Sequence, residues 1–162
     1  YRDTGIYYNL MLGMMPGSNE FGSFNFGGSA QFSVGYHLNR FLGIGIGIGS
    51  DSYITNNVRT VFPIFAEVKG YLLDKPLSPY YNLGIGYSLA TSSNEFGMIG
   101  AKGGIFINPR IGLRFPSKTN VTFVFDMGYI YQRATYEFDD SFGRYEDNIT
   151  YKRINLRFGL LF

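Results

Sequence analysis

The chain has 162 residues, of which 45% are hydrophobic, 19% aromatic and 16% charged. This composition excludes a disordered or fibrous polypeptide, and the length is that of one domain, so we expect residues 1–162 to form a single domain. The 14 basic and 12 acidic residues nearly balance, which argues against nucleic acid as a partner. Because the chain contains no cysteine, it can form neither disulfide bonds nor thiolate metal sites.

Apolar and polar residues alternate in eight segments, which is the period expected of β-strands. Clusters of Gly, Asn, Asp, Ser and Pro separate these segments. Each segment approaches the roughly 9–11 residues with which a tilted strand crosses a bilayer, whereas no apolar run is long enough for a spanning helix. The predicted strands, in chain order, are residues 4–15, 30–38, 42–49, 61–72, 80–90, 104–115, 121–132 and 151–162.

The connections between these strands alternate in length. Residues 39–41, 73–79 and 116–120 form short connections, and we call their side of the sheet the turn end. The connections at the opposite side, the loop end, are longer: residues 16–29, 50–60, 91–103 and 133–150. Short turns at one end and long loops at the other are typical of an outer-membrane barrel.

The two faces of the predicted strands differ sharply in polarity. The more apolar face comprises 42 assigned positions, beginning at Ile6 in the first strand and at Ile154 in the last. All of them except Gly70 are apolar, and none is charged. Polar side chains occupy the opposite face: Asn9, Gln31, Ser33, His37, Glu67, Lys69, Asn82, Asn108, Arg110, Arg114, Thr122, Asp126, Asn155 and Arg157. A soluble barrel has the reverse arrangement, so the apolar face must meet lipid, where an open sheet edge is not tolerated. The sequence therefore predicts an all-β, eight-stranded antiparallel up-and-down transmembrane barrel with short periplasmic turns and four longer extracellular loops.

The predicted lumen holds six charged residues that we expect to form an ion network: Glu67, Lys69, Arg110, Arg114, Asp126 and Arg157. Centring the turn of the sixth and seventh strands on Lys118 places Arg110 directly opposite Asp126, and Arg157 on the next strand could share that carboxylate. Phe65 and Tyr71 point inward over the glycines of the third and fifth strands, which predicts a filled lumen. The network is read as structural, because interior charges must be paired; the alternative is a path for protons or ions.

Two short sequences recur at about half the chain length. Residues 7–10, Tyr-Tyr-Asn-Leu, recur at 80–83, and residues 18–22, Ser-Asn-Glu-Phe-Gly, recur at 93–97. Duplication of four strands into eight would explain both matches. Coincidence in a chain rich in Tyr, Gly and Asn would explain them equally well.

The last nine residues, Ile-Asn-Leu-Arg-Phe-Gly-Leu-Leu-Phe, resemble the carboxy-terminal strand signal of bacterial outer-membrane proteins. With its eight strands and four long loops, the chain resembles the small barrels of the OmpA-transmembrane and OmpX type. The stretch 102–115 is similar to the Gly/Asn/Pro-rich strands of barrels in this class. The resemblance implies residence in the bacterial outer membrane after removal of a signal peptide, and roles in adhesion, surface protection, complement evasion or structural support. The Trp girdle usual in this class is absent; aromatic residues at the two rims would replace it: Tyr36, Tyr81, Phe115, Phe162, Tyr87, Tyr129 and Tyr131.

Enzymatic chemistry has little support in the sequence. The single histidine, His37, lies inward beside a short turn, away from the long loops, and no second histidine or cysteine can assist it. We expect no enzyme, no cofactor and no metal centre. His37 is expected to line the lumen.

The long loops carry the candidate binding residues. Aromatic residues of the first loop and acidic residues of the last are candidates for contact with a protein, a glycan or a lipopolysaccharide-bridging cation: Phe21, Phe24, Phe26, Glu137, Asp139 and Asp140. A solvated loop without a partner is the alternative.

The sequence thus favours a non-enzymatic outer-membrane barrel, monomeric and in contact with lipopolysaccharide, with a structural or surface-binding role. A passive small-solute channel and a soluble lipocalin-like lipid carrier are the alternatives.

Overall fold

The computed structural model describes residues 4–18, 24–54, 58–90, 98–115, 121–140 and 143–162. Eight long strands form one sheet in which each strand pairs antiparallel with the next along the chain. They are β1 (Gly5–Met14), β2 (Gly27–Asn39), β3 (Leu42–Ile54), β4 (Val58–Tyr71), β5 (Ser78–Ala90), β6 (Gly104–Phe115), β7 (Thr122–Asp140) and β8 (Gly143–Leu161). None of the described residues belongs to a helix long and apolar enough to cross a bilayer.

The sheet closes because β1 pairs with β8 as well as with β2. Asn9 lies opposite Leu161 on β8 and opposite Ser33 on β2. A path that starts at Tyr71 on β4 and steps to the directly opposed residue of each next strand passes once round the sheet. It returns to β4 at Val61, ten residues from its start. A stagger of this size tilts the strands by about 35–45° and leaves an eight-stranded interior that side chains can fill. The predicted closed, all-antiparallel barrel is confirmed.

The distribution of exposed side chains also matches the prediction. Every residue assigned to the apolar outward face is exposed or partly exposed, except Gly70. Ile46 is 67% exposed, whereas Arg157 on the opposite face is 1% exposed. Gly70 is covered by the ring of Tyr81, whose hydroxyl donates a hydrogen bond of 2.5 Å to the Phe41 carbonyl. This inverted polarity does not fit the soluble-carrier alternative, which requires an apolar interior and a wet exterior.

Parts of the segments assigned to the long connections are paired strands in the structure, so the predicted strands are too short at the loop end. β3 continues to Ile54, β7 to Asp140, and β8 begins at Gly143. Three shorter segments at the loop end are also paired: Met98–Lys102 pairs with β7, and Gly17–Ser18 pairs with Phe24–Asn25. Alternating polarity marks a strand only where one face meets lipid. Beyond the membrane both faces can be polar while the backbone remains paired, so the sequence signal ends before the strand does.

β7 and β8 are 19 residues long, whereas a strand needs only about 9–11 residues to cross a bilayer. Their pairing is continuous from Thr122–Leu161 to Asp140–Gly143. The upper part of this hairpin therefore extends well beyond the apolar band of the barrel.

Candidate functional site

The lumen is divided into layers of different chemistry. Seven buried apolar residues cluster toward the loop end: Met15, Tyr53, Val61, Phe65, Phe106, Ile130 and Tyr151. A second apolar cluster lies nearer the turn end: Met11, Tyr71, Tyr80 and Val124. The charged side chains lie largely between these layers, where they are shielded from water at both ends.

Phe65 fills the lumen because its neighbours on both adjacent strands are glycines. Its ring lies where a Cβ on Gly47 would stand, and it comes within 3.4 Å of the equivalent point on Gly84. It also packs against the ring of Phe106, with 5.4 Å between the ring centroids. The glycine stripe of β3 therefore makes room for a large side chain from β4.

Glu67 is the most heavily hydrogen-bonded group of the polar layer. Its Oε1 accepts from the hydroxyls of Tyr7 at 2.9 Å and Ser33 at 2.7 Å. Its Oε2 accepts from Asn82 Nδ2 at 2.8 Å and from Arg110 at 3.1 Å. Arg110 also donates to Asn82 Oδ1. This carboxylate is buried, yet every hydrogen bond it requires comes from the lumen wall.

Asp126 forms the second ion pair of the lumen, with Arg157 on the neighbouring strand. The guanidinium binds both carboxylate oxygens, with Nε to Oδ1 at 2.9 Å and Nη2 to Oδ2 at 3.1 Å. The Tyr80 hydroxyl donates to Oδ2 at 2.9 Å. A bidentate Arg–carboxylate pair of this kind is directional as well as strong.

The predicted direct opposition of Arg110 and Asp126 is wrong. Gly128 lies opposite Arg110, and Gly112 lies opposite Asp126, so the β6–β7 register differs by two residues from the expected one. The expected register depends on a turn centred at Lys118, and residues 116–120 are outside the described part of the chain. A shift of two residues preserves which face is inward, so the polarity pattern could not detect the error.

Gln31 connects the two ion pairs. Its Oε1 accepts from Arg157 Nη1 at 2.5 Å and from Arg110 Nη1 at 3.4 Å. Glu67, Arg110, Gln31, Arg157 and Asp126 thus form one continuous polar chain across the lumen. The interaction of Arg110 and Arg157 with separate carboxylates offsets the repulsion between the two guanidinium groups.

Lys69 is buried beside this chain within a set of tyrosine rings. Its ammonium lies 5.0 Å from the ring centroid of Tyr80, 5.3 Å from Tyr7 and 5.8 Å from Tyr71. Among the described residues Nζ has no hydrogen-bond acceptor. The electron-rich ring faces supply its local stabilisation.

Arg114 and His37 lie toward the turn end. Arg114 donates to the Lys75 carbonyl at 2.7 Å and the Pro76 carbonyl at 3.2 Å, so it ties β6 to the turn between β4 and β5. The His37 ring lies between Tyr7 and Tyr71, with centroid separations of 4.6 and 5.2 Å. This is the position predicted for it, within the wall and away from the loop end.

Among the described residues the lumen buries three carboxylates and five cations. The carboxylates are Glu67, Asp126 and Asp51, of which Asp51 accepts a 2.6 Å hydrogen bond from Ser29. The cations are Arg110, Arg157 and Lys69, with Arg114 nearer one end and Arg153 nearer the other. All six predicted network residues are inward and buried. Glu67 pairs with Arg110, Asp126 pairs with Arg157, Lys69 is surrounded by tyrosine rings, and Arg114 is bound to a turn. They do not form a single cluster.

The structure adds several groups that the sequence analysis did not single out for the network, namely Tyr7, Tyr80, Gln31 and Asp51. One signal for the two tyrosines was present. The repeated Tyr-Tyr-Asn-Leu sequence places Tyr7 and Tyr80 inward on β1 and β5, and each hydroxyl donates to a lumen carboxylate. The role of Gln31 depends on side chains from three non-adjacent strands, and no local pattern predicts it.

The candidate loop residues are only partly within the described structure. Phe21 lies outside it, whereas Phe26 is 54% exposed. The backbone of Phe24 pairs with Ser18. Glu137, Asp139 and Asp140 belong to the backbone of β7, where Glu137 is opposite Glu146 and Asp139 is opposite Arg144. Within the described residues, no group of three or more His, Asp or Glu side chains is placed to hold a metal ion.

No family model matches the sequence, and no curated protein matches it either. Solved structures do share its fold. The crystal structure of Neisserial surface protein A is 16% identical, with 99% of this chain and 98% of that chain covered and a TM-score of 0.66. The crystal structure of the outer membrane protein OprG from Pseudomonas aeruginosa is 9% identical, with coverages of 99% and 97% and a TM-score of 0.72.

The solid-state NMR structure of the outer membrane protein AlkL in lipid bilayers is 12% identical, covers 100% of this chain and 91% of that one, and has a TM-score of 0.65. At such low identities the likeness shows the fold and nothing more specific. The predicted resemblance is confirmed at that level: the chain has the fold of the small eight-stranded outer-membrane β-barrels.

Proposed function

We propose that the protein is a non-enzymatic, monomeric barrel of the bacterial outer membrane that is inserted after removal of a signal peptide. Its barrel anchors loop-end hairpins outside the cell, and these hairpins provide a structural or surface-binding role such as adhesion or protection. The observation that carries this proposal is the β7–β8 hairpin, which remains paired far beyond the length needed to cross a bilayer.

The filled lumen supports an anchoring role over a conducting one. The apolar cluster around Phe65 lies on the loop side of the polar chain, and Tyr71 and His37 lie on its turn side. Arg110 and Arg157 are held by carboxylates and by Gln31, so these charges serve to hold the wall together. A passive channel would need an open aqueous path past these groups.

The environment of His37 supports the proposal that the protein is not an enzyme. Its ring packs between two tyrosines at the turn end. Of the described lumen acids, Glu67 and Asp126 are bonded to arginines, and Asp51 accepts a hydrogen bond from Ser29. A nucleophilic or general-base role would require a reachable substrate position beside the ring, on the side where the outer leaflet lies.

The test of the surface role removes the projecting part of the hairpin. Residues 134–149 are replaced by Asn-Gly, which joins the opposed residues Arg133 and Thr150 by a two-residue turn. Gram-negative cells that display the wild-type barrel should be retained on arrays of immobilised proteins and glycans above the vector control. Removal of the hairpin should reduce this retention at least fivefold.

The matched control carries residues 134–149 in scrambled order, which preserves length and charge. It should bind as poorly as the deletion if side chains of the hairpin make the contact. Equal retention of wild-type and deletion cells, with both barrels folded in the outer membrane, would contradict a binding role for this hairpin.

A further inference from the structure

Three exposed basic side chains lie together on the outside of the barrel at the loop end. Lys102 belongs to the Met98–Lys102 segment, Arg133 to β7 and Lys152 to β8, which are neighbours in the sheet. Lys152 lies opposite Tyr131, and Arg133 lies opposite Thr150, so Arg133 and Lys152 are diagonal neighbours on the outward face. All three side chains are exposed.

This basic group lies immediately above the apolar band. Tyr131 precedes Arg133 by two residues on the same face, and Ile154 follows Lys152 by two. Tyr129, 43% exposed, and Ile154, 52% exposed, continue the same outward rows toward the middle of the membrane. Two tyrosines followed by cations at the edge of an apolar band mark the level of the lipid headgroups.

The group is confined to one side of the barrel. On β1 to β5, and at Pro16 and Phe26 beside β1 and β2, the described outward residues at the same end are all uncharged: Met14, Pro16, Phe26, Gly28, Ser50, Ser52, Thr60, Phe62 and Leu89. At the turn end the outward row of the described strands is uncharged as well. In the turns beyond it, Arg40 is paired with Asp74 at 3.8 Å, and Lys75 is exposed. On the outward faces of the described strands, positive charge therefore lies on the β6–β8 side.

We propose that Arg133 and Lys152, with Lys102 beside them, bind the phosphate group of an anionic lipid headgroup in the leaflet that surrounds the loop end. The inference rests on the proposed membrane location. A guanidinium gives a forked pair of donors to phosphate oxygens, and an ammonium adds a point charge. Arg133 and Lys152 lie on the same outward rows as Tyr129 and Ile154, nearer the loop end. A lipid whose acyl chains lie along Tyr129 and Ile154 can therefore place its headgroup phosphate beside Arg133 and Lys152 while it stays in the bilayer.

The test measures lipid retention by the folded barrel in a neutral detergent, using native mass spectrometry. The probes are phosphatidic acid, which carries an exposed phosphate monoester, and phosphatidylcholine with the same acyl chains. Each cation near an anionic headgroup contributes about fivefold in affinity. Wild type should prefer phosphatidic acid, and the variant R133Q/K152Q should bind it about 25-fold more weakly, with phosphatidylcholine binding unchanged.

The matched control is R40Q/K75Q, which removes two positive charges at the turn end and should retain the wild-type preference. An equal loss in the control would show a general charge effect and overturn the site. If inorganic phosphate displaces phosphatidic acid at equal concentration, the site binds the free anion and the lipid proposal is refuted. Retention of phosphatidic acid by R133Q/K152Q within twofold of wild type would refute it as well. Resistance of the folded barrel to SDS, measured on every variant, separates this failure from failure of the membrane assignment.

Discussion

Removal of the Glu67 carboxylate should be among the most damaging single changes to the barrel. The variant Glu67→Met keeps the size of the side chain but removes the acceptor of Tyr7, Ser33, Asn82 and Arg110. Loss of one partner from a buried ion pair costs about 3–5 kcal/mol because the remaining charge is uncompensated. We therefore expect the free energy of unfolding to fall by about 3–5 kcal/mol, a large part of a typical domain's stability.

A second substitution should partly reverse this loss. Arg110→Met in the Glu67→Met background removes the unpaired guanidinium, and apolar replacement of a whole buried pair is often close to neutral. The double variant should regain at least about 1 kcal/mol relative to Glu67→Met alone. The exposed pair Arg40–Asp74 is the control, and Asp74→Asn should cost less than about 1 kcal/mol.

The assay is reversible urea unfolding in lipid vesicles, followed by far-ultraviolet circular dichroism and tyrosine fluorescence, since the chain has 14 tyrosines and no tryptophan. A loss below 1 kcal/mol in Glu67→Met would refute the claim that this carboxylate is a buried structural centre. So would a double variant that is less stable than the single one.

Three further predictions concern the register, the packing and the conductance of the lumen. In double-mutant cycles on unfolding free energy, Asp126 should couple to Arg157 by more than about 1.5 kcal/mol and more weakly to Arg110; the reverse order would contradict the register. In the same urea assay, Gly47→Val should destabilise the barrel by at least about 1–3 kcal/mol because the new side chain collides with the Phe65 ring. The control Gly28→Ala meets no atom within 4 Å and should cost less than about 1 kcal/mol. Equal losses in the two variants would show that a glycine at position 47 is not required for packing. Planar-bilayer recordings should show no steady ion current for wild type, and a sustained current carried by single molecules would favour the channel alternative.

The polarity of the two strand faces was enough to predict the barrel. A single charged residue in the lipid-facing band would be costly, so the absence of charge from the 42 assigned outward positions points to the membrane before any contact is known. The same pattern identified the inward face of Glu67, Asp126 and Arg157, all of which are buried.

Partners within the lumen could not be predicted in the same way. Whether Asp126 meets Arg110 or Arg157 depends on a shift of two residues in one hairpin, and such a shift leaves the inward and outward faces unchanged. Gln31 joins the ion pairs only because strands far apart in sequence curve round to face one another. The upper β7–β8 hairpin was missed because water on both faces removes the alternation that defines a strand within the membrane.

The central claim is that the apolar side chains face lipid, and spin labels attached to single introduced cysteines test it most directly. The chain has no native cysteine, so Ile46→Cys, Ile111→Cys and, as a turn control, Leu77→Cys each give one site. In lipid vesicles, labels at positions 46 and 111 should collide with oxygen, which concentrates in the hydrocarbon, and be protected from a water-soluble nickel complex; the label at position 77 should show the reverse. Free access of the nickel complex to position 46 in the folded protein, together with weak collision with oxygen, would contradict the account.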